Sequence, residues 1–359
     1  LLIVALPRVA AADCAAGCGQ SLAGTPADEF IAERMGLVRE WVVQLPFDSA
    51  RATLEYVVVG DGLVVAQTGD GAVHAVKAAP LSAGAVPQPG DAAIGSLLWS
   101  RRVGTAGGLS TPPGIGPRLV TVAHDGDVIA VDRQSGEARW NRPLGRLAGG
   151  GAAEIGDWVY APLSGGGIRR FTFDPLQPTA DAGLQPLPKR LKAGKKKDVE
   201  SAKPTVESLR VRTFDSSGPV ARPVRPLGKG VAWTTIDGVL VTLQPTDLDW
   251  DRFEFALNSP AVDAPITRGQ AVFVATQAAD LARVDYLETG TRGLRTGWHA
   301  VLDAQPDGGP FLGGDTVVVS LGEAGLAAFS AATGAARWRS PVCGRVLAVA
   351  GDRVWIIDR

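Results

Sequence analysis

Histidine and cysteine side chains are the first candidates for metal binding or nucleophilic catalysis in this chain. The three histidines, His74, His124 and His299, lie far apart, and none is close to a cysteine. A zinc site needs clustered histidine, cysteine or acidic ligands, so this spacing does not predict one. No G-x-S-x-G motif occurs, and the Gly-Gly-Gly runs at 149–151 and 165–167 lack a P-loop lysine. We therefore predict no catalytic residue, no metal ion and no cofactor.

The three cysteines leave two interpretations open. In an exported protein, Cys14 and Cys18 can close a small loop, while Cys343 stands alone far along the chain. Alternatively, Cys14 carries a lipid. Asp13 disfavours the second interpretation, because lipoprotein signals place a small uncharged residue before the modified cysteine.

The amino-terminal residues have the character of a processed leader. The apolar run LLIVALP and the later Ala10-Ala11-Ala12 are typical of the end of a secretory signal, with cleavage before Asp13. A buried first strand is the alternative. We predict a signal remnant over 1–12 and an N-terminal segment over 13–36. Within that segment Thr25–Gly36 forms a helix, because threonine can cap its start and glycine its end.

Composition excludes several classes of protein. The 36 basic and 37 acidic residues are balanced, so no global field favours nucleic acid. The 45 glycines, 25 prolines and single methionine indicate many turns rather than a helical bundle. No stretch after residue 12 reaches the ~18 apolar residues that span a membrane.

One phrase occurs twice. DVIAVDRQSGEARW at 127–140 and GLAAFSAATGAARW at 325–338 share a Ser/Thr-Gly pair followed, four residues later, by tryptophan. Self-similarity of this kind is the signature of a repeat architecture. The matched residues are Ser135, Gly136 and Trp140 in the first copy and Thr333, Gly334 and Trp338 in the second.

A second signal counts the repeats. A glycine turn followed by a β-branched run begins seven times, with spacings of 56, 40, 72, 41, 45 and 37 residues. The two long spacings contain insertions, which we place at 78–96 and 174–212. Four short strands per ~40 residues is the period of a propeller blade. The turns begin at Gly60, Gly116, Gly156, Gly228, Gly269, Gly314 and Gly351.

The fourth, outer strand of each repeat is expected to carry an aromatic residue that packs between blades. Trp41 precedes the first turn and is therefore expected to supply the outer strand of the last blade. Val354–Ile357 would supply its second strand, with the strand between them absent. We predict an all-β, seven-bladed propeller of four-stranded antiparallel blades over 37–359, with an incomplete last blade. The aromatic residues are Trp41, Trp99, Trp140, Phe214, Phe253 or Phe255, Trp298 and Trp338.

The repeated phrase resembles the blade repeat of pyrroloquinoline-quinone (PQQ) type propellers, and Ala130–Asp132, which precedes Ser135 and Gly136 in the first copy, strengthens the likeness. One branch of that superfamily, the quinoprotein dehydrogenases, holds PQQ and a metal ion and often places two adjacent cysteines over the cofactor. This chain has no adjacent cysteines and no acidic set that matches the metal ligands. It is more similar to the non-enzymatic, BamB-like branch.

That resemblance implies an exported, monomeric scaffold that binds other proteins in the periplasm or cell envelope and uses no cofactor. It implies no nucleic acid partner, and it leaves room for peripheral membrane contact. The alternatives are a PQQ-dependent oxidoreductase and a propeller that binds a small ligand or sugar.

The insertion in the third repeat is strongly basic. Over 185–212 it carries nine Lys or Arg against three Asp or Glu, so we predict an exposed loop that trypsin cuts first. A contact arm for an acidic partner or membrane surface is one interpretation, and a solvated insertion without function is the other. The candidate contact residues are Lys189, Arg190, Lys192, Lys195, Lys196 and Lys197.

Overall fold

The structure is a computed structural model that describes residues 4–5, 41–60, 62–78, 92–173, 211–246, 249–287, 292–350 and 353–357. Apart from one turn of 3₁₀ helix at Gly322–Ala324, all regular elements in these ranges are β-strands. None of the helical structure in them is long and apolar enough to cross a bilayer. The predicted helix at Thr25–Gly36 and the six candidate basic residues of the insertion lie outside the described residues.

Six sheets have four antiparallel strands each, joined in chain order, and each sheet is one blade. A two-residue strand β1 (Val4–Ala5) comes before them. Blade 1 is β2 (Leu54–Gly60), β3 (Leu63–Thr68), β4 (Ala72–Lys77) and β5 (Leu97–Arg102). Blade 2 is β6 (Gly114–Ile115), β7 (Leu119–His124), β8 (Asp127–Asp132) and β9 (Ala138–Pro143). Blade 3 is β10 (Ala153–Ile155), β11 (Trp158–Pro162), β12 (Ile168–Thr172) and β13 (Val211–Phe214). Blade 4 is β14 (Arg225–Leu227), β15 (Gly230–Thr234), β16 (Val239–Pro245) and β17 (Trp250–Ala256). Blade 5 is β18 (Ile266–Arg268), β19 (Ala271–Thr276), β20 (Asp280–Leu287) and β21 (Gly293–Val301). Blade 6 is β22 (Gly308–Gly313), β23 (Thr316–Ser320), β24 (Leu326–Ser330) and β25 (Ala336–Ser340).

The seventh sheet has three strands, so the predicted incomplete last blade is confirmed, but the strand that pairs with its second strand differs from the prediction. It consists of β26 (Arg345–Ala350), β27 (Arg353–Ile357) and β1, which pairs with β27 through Val4 and Ala5. The place beside β27 that we predicted to be empty is therefore occupied. Trp41 is not part of a strand, and its neighbour Val42 makes only a single β-bridge. The physical reason is that an open strand edge can pair with any extended segment. A pairing of only two residues leaves no recognisable pattern in the sequence.

The strand assignment around the first copy of the phrase is confirmed. Strands β7 and β8 are joined by Asp125 and Gly126, which have φ values of 49° and 88°. Two central residues with positive φ make the tight hairpin turn that suits the twist of antiparallel strands. The predicted basic loop over 185–212 is wrong at its end, because Val211 and Arg212 belong to β13. Arg212 forms an ion pair with Asp249 at 2.8 Å.

Seven apolar clusters close the ring. Each cluster joins two neighbouring sheets, and six of them join blades 1 to 6 and the seventh sheet in order. The seventh cluster joins Val64 and Val76 of blade 1 to Ala348 and Trp355 of the last sheet. The first strands of successive sheets also contact one another all the way round. These strands therefore surround the central axis, and the propeller is closed by packing between β2 and β26.

The two ends of the propeller differ in what they present. Strands within a blade alternate in direction, so the connector from each fourth strand to the next first strand lies at the same end as the turns between second and third strands. We call this end the connector face. Its connectors are residues 103–113, 144–152, 215–224, 257–265, 302–307 and 341–344. The glycine turns found in the sequence lie at the opposite end.

Candidate functional site

The tryptophans of the repeat occupy equivalent positions. Each lies in a fourth strand, opposite a third-strand residue that immediately precedes a β-bulge. The pairs are Ala75 with Trp99, Ala130 with Trp140, Arg283 with Trp298 and Ala328 with Trp338. Trp140 and Trp338 thus hold the same place in blades 2 and 6, and the bulge marks that place in each blade.

The Ser/Thr-Gly pair receives the tryptophan of the preceding blade. Trp99 lies over Gly136, where an added Cβ would come within 2.6 Å of the indole ring. Its Nε1 donates a hydrogen bond to the carbonyl of Arg133 at 2.9 Å. Gly136 has φ of 70°, a left-handed conformation that glycine adopts without strain. The phrase is therefore one half of a joint between blades.

The same joint recurs elsewhere in the ring. Trp298 of blade 5 lies over Gly334 of blade 6, and its Nε1 donates to the carbonyl of Ala331 at 3.0 Å. Trp41, although outside a strand, lies over Gly95 in the equivalent turn of blade 1. In contrast, the Trp338 side chain is 38% exposed. These contacts are structural, so the tryptophans of the joints are not free to line a ligand site.

Asp132 stabilises the turn that holds Gly136. Its carboxylate accepts hydrogen bonds from the backbone N–H groups of Gln134 and Ser135 and from Arg139 Nη2, at 3.0, 2.9 and 2.5 Å. Desolvation raises the pKa of Asp132, but Arg139 and these turn donors outweigh it and lower the pKa to about 2. Asp132 is thus a turn residue that stays ionised, which is the usual role of aspartate in such turns.

The three histidines lie in three different blades. His74 is in β4, His124 ends β7, and His299 is in β21, where its Nε2 lies 3.0 Å from Asp280. No cluster of three or more histidine, cysteine or acidic side chains with metal-binding geometry occurs among the residues that the structure describes.

The buried His74 is expected to make the stability of the ring depend on pH. Its side chain is 1% exposed and its Nδ1 lies 2.8 Å from Ser100 Oγ. Burial lowers the pKa of His74, with a smaller opposing effect of Asp70. Below the unfolded-state pKa of about 6.5 the unfolded chain binds a proton that the folded chain resists, so this contribution is lost as the pH falls from there toward the folded pKa.

We expect His74→Gln to flatten this dependence. The measurement is the free energy of unfolding in urea at several pH values between 7.5 and 5, for the variant and the parent. His299→Gln, which removes a partly exposed ring, is the matched control and should keep the parent slope more closely. Equal slopes in the parent and His74→Gln would contradict the assignment.

Cys343 is disulfide-bonded, to a cysteine outside the described residues. The sequence contains only Cys14 and Cys18 besides. Both of these cysteines lie outside the described residues, and so do the two expected alternatives, a Cys14–Cys18 loop and a lipid on Cys14.

Connectors and turns are locked together at the connector face. The N–H of Leu109 donates to Asp125 Oδ1 at 2.8 Å, and the N–H of Asp125 donates back to the carbonyl of Leu109 at 2.9 Å. Equivalent backbone bonds join each connector to the following second-to-third-strand turn in the next three blades. They run from Ser164 to Leu147, from Ile236 to Pro219 and from Gln277 to Pro260, at 3.1, 2.9 and 2.9 Å.

The Leu109 connector is further supported by His124. The N–H of Thr105 donates to His124 Nε2 at 2.9 Å. Gly104 and Gly108 pack so closely on the imidazole that an added Cβ would lie within 2.6 and 2.4 Å of it. His124 therefore has a positioning role: it holds the loop that presents Leu109.

Apolar side chains project from this rigid face. Leu109 is 66% exposed, Leu147 48%, Ile236 49% and Val301 74%. Our sequence reasoning missed them. The sequence did contain a signal, namely a large aliphatic residue inside a Gly-rich connector, as in GTAGGLS and GRLAGGG. Such a residue does not belong to a buried strand, so burial in the core does not explain its presence.

Comparison with known proteins fits this architecture. A family model described as outer membrane protein assembly factor BamB matches residues 40–173 and 210–346, well over half of the chain. This chain belongs to that family. No protein of curated function matches it.

Two solved structures are similar to this BamB-family chain. BamB from Moraxella catarrhalis is 16% identical, with a TM-score of 0.47, over 89% of this chain and 73% of that one. The Cps50 (Swd1) β-propeller domain of Myceliophteria thermophila is 10% identical, with a TM-score of 0.52, over 86% of this chain and 100% of that one. Membership of the family supports a general role as a scaffold for protein–protein interaction.

Proposed function

We propose that this chain is a non-enzymatic, exported scaffold of the cell envelope, acting in outer-membrane protein assembly and binding its partner through the connector face. The family match carries the assembly role. The exposed aliphatic residues on locked connectors carry the choice of face.

The connector face has the properties of a preformed interface. Protein interfaces bury an apolar centre within a polar rim, and a rigid backbone loses little entropy on binding. Leu109 and Leu147 occupy equivalent connector positions in neighbouring blades, so one partner surface can contact both. The polar groups beside Leu109, His124 and Asp125, are engaged in holding the loop, which favours a binding role over a catalytic one.

The opposite end also exposes aliphatic side chains, among them Ile94, Leu97 and Leu287. Leu97 and Leu287 lie at strand ends, whereas Leu109 and Leu147 project from connectors that backbone hydrogen bonds lock to the neighbouring turns. The connector face therefore presents its apolar side chains on the more firmly held backbone.

A capture experiment tests the proposal. The purified propeller is immobilised and incubated with detergent-solubilised envelope from its source organism, and bound proteins are identified by mass spectrometry. We expect a component of outer-membrane protein assembly to be retained. The double variant Leu109→Asp/Leu147→Asp should reduce its recovery at least tenfold, because charge at the centre of an apolar interface is strongly unfavourable.

Leu97→Asp, a change at the opposite end of blade 1, is the matched control and should leave recovery unchanged. Equal recovery with the double variant would show that the partner binds elsewhere. Retention of no envelope protein, together with dye reduction on adding PQQ and calcium, would favour the oxidoreductase alternative.

A further inference from the structure

Two arginines converge on the central channel at the connector face. Arg225 is the first residue of β14 and Arg345 the first residue of β26. Both strands are innermost in their sheets, and innermost strands surround the axis. The first residue of such a strand lies at its connector end, so both side chains belong to the mouth of the channel on that face.

Asp263 shows that these groups meet across the channel. Arg345 Nη2 lies 4.0 Å from Asp263 Oδ2. Asp263 is in the connector from blade 4 to blade 5, whereas Arg345 is in the seventh sheet, so blades 5 and 6 separate them round the ring. A contact between them must therefore pass over the open centre. The Arg345 side chain is 52% exposed and that of Asp263 28% exposed.

Arg225 lacks a close acidic partner. Its side chain is exposed, and it makes no ion pair within 4.0 Å among the described residues. Desolvation nevertheless lowers the pKa of Arg225, and the charge of Asp263 only partly opposes this. A side chain that projects into a narrow channel is accessible to water and is also close to the surrounding protein atoms. This position accounts for both the exposure and the partial desolvation of Arg225. The guanidinium is thus partly desolvated without a full ion pair, which is unfavourable.

The neighbouring charged groups do not supply the missing partner. Asp263 is shared between the two arginines, and its Oδ1 also accepts the N–H of Ala264 at 2.7 Å. Asp307, in the next connector, accepts the hydroxyl of Ser320. Arg222 adds a further guanidinium at the same end, bonded through Nη2 to the carbonyl of Val262 at 2.6 Å.

We infer that the channel mouth formed by Arg225, Arg345 and Asp263 binds a carboxylate, supplied as an acidic side chain by the protein that docks on the connector face. A carboxylate between two guanidinium groups can accept charge-assisted hydrogen bonds from both, and a low-dielectric cleft strengthens that attraction. The inference rests on the proposed function for its ligand, and it adds that the partner inserts an acid at the axis while its apolar residues contact Leu109 and Leu147.

Short peptides test the inference directly. Three probes share one sequence with central leucines: an acetylated and amidated peptide with one glutamate, the same peptide with glutamine instead, and the glutamine peptide with a free carboxyl terminus. Binding is followed through the Nε–H signals of arginine in NMR spectra of the ¹⁵N-arginine-labelled full chain. We expect the glutamate peptide to shift the Arg225 and Arg345 signals and the amidated glutamine peptide to leave them in place.

Arg225→Met should weaken binding of the glutamate peptide at least tenfold, and Arg225→Lys should restore part of it. Arg295→Met, on an outer strand, is the matched control and should have no effect. Unfolding curves identify any variant that fails to fold. If Arg225→Met does not fold, binding of the glutamate peptide by Arg225→Lys tests the inference instead. No binding by the glutamate peptide, or equal binding of the amidated glutamine peptide, would overturn the inference. Equal binding by the peptide with the free carboxyl terminus would overturn the side-chain source.

The outcome is separable from that of the proposed function. In one outcome, Arg225→Met captures the envelope partner as well as the parent does while Leu109→Asp/Leu147→Asp does not. That result would support the connector face as the binding surface and contradict the carboxylate site. If both variants capture the partner fully, both proposals fall.

Discussion

Replacing Trp99 by alanine is expected to lower the free energy of unfolding by about 3–5 kcal/mol, the usual cost of truncating a buried large aromatic side chain. Trp99 is 7% exposed, lies over Gly136 of the next blade and donates a hydrogen bond to Arg133. The truncation removes both the ring packing and the hydrogen bond of the joint between blades 1 and 2. Denaturation in guanidinium chloride, followed by circular dichroism, gives the difference.

Trp338→Ala is the matched control for this prediction. Trp338 occupies the same place in blade 6 but is 38% exposed, so less burial is lost and the cost should be clearly smaller. Gly136→Ala should also destabilise the parent strongly, because the new methyl group meets the indole ring and φ is positive. In the Trp99→Ala background it should cost less. Equal losses in the free energy of unfolding for Trp99→Ala and Trp338→Ala would contradict this account. They would show that the position in the repeat, and not the contact with glycine, determines the loss.

Replacing Glu154 by alanine is expected to cost about 2–5 kcal/mol, since each of two backbone amides left without an acceptor contributes roughly 1–3 kcal/mol. The Glu154 side chain is fully buried. It accepts hydrogen bonds from the N–H groups of Arg118 and Leu119 at 3.0 and 2.9 Å and from Arg118 Nε at 2.6 Å. It thereby ties the start of β7 in blade 2 to β10 in blade 3.

The same arginine provides the control. Arg118 also contacts Asp157 at 3.3 Å, but that carboxylate is 87% exposed, and exposed ion pairs contribute little. Asp157→Ala should therefore change the free energy of unfolding by less than about 1 kcal/mol. Glu154→Gln, which keeps one acceptor oxygen, should fall between the two. Thermal and urea unfolding measure all three, and a cost for Asp157→Ala as large as that for Glu154→Ala would contradict this account.

The repeat itself could be read from the sequence because its features are local. The glycine turns and the Ser/Thr-Gly-x-x-x-Trp phrase reflect backbone conformations and strand lengths that recur within ~40 residues. The first strands of blades 2 to 5 could not be read in the same way, because they are only two or three residues long. Their pairing depends on the neighbouring strand, and β1 beside β27 is the extreme case.

The sequence by itself determined the propeller class, the approximate blade boundaries and the positions of Trp140 and Trp338, since each depends on residues close together in the chain. Only the tertiary structure decided that Trp99 meets Gly136 and that Leu109 and Leu147 share one rigid face. It alone brought Asp263 and Arg345 to one channel mouth, across 82 residues of chain. Such contacts between distant residues depend on the curvature and closure of the ring. These arise from packing between all the blades, so the sequence of a single repeat does not determine them.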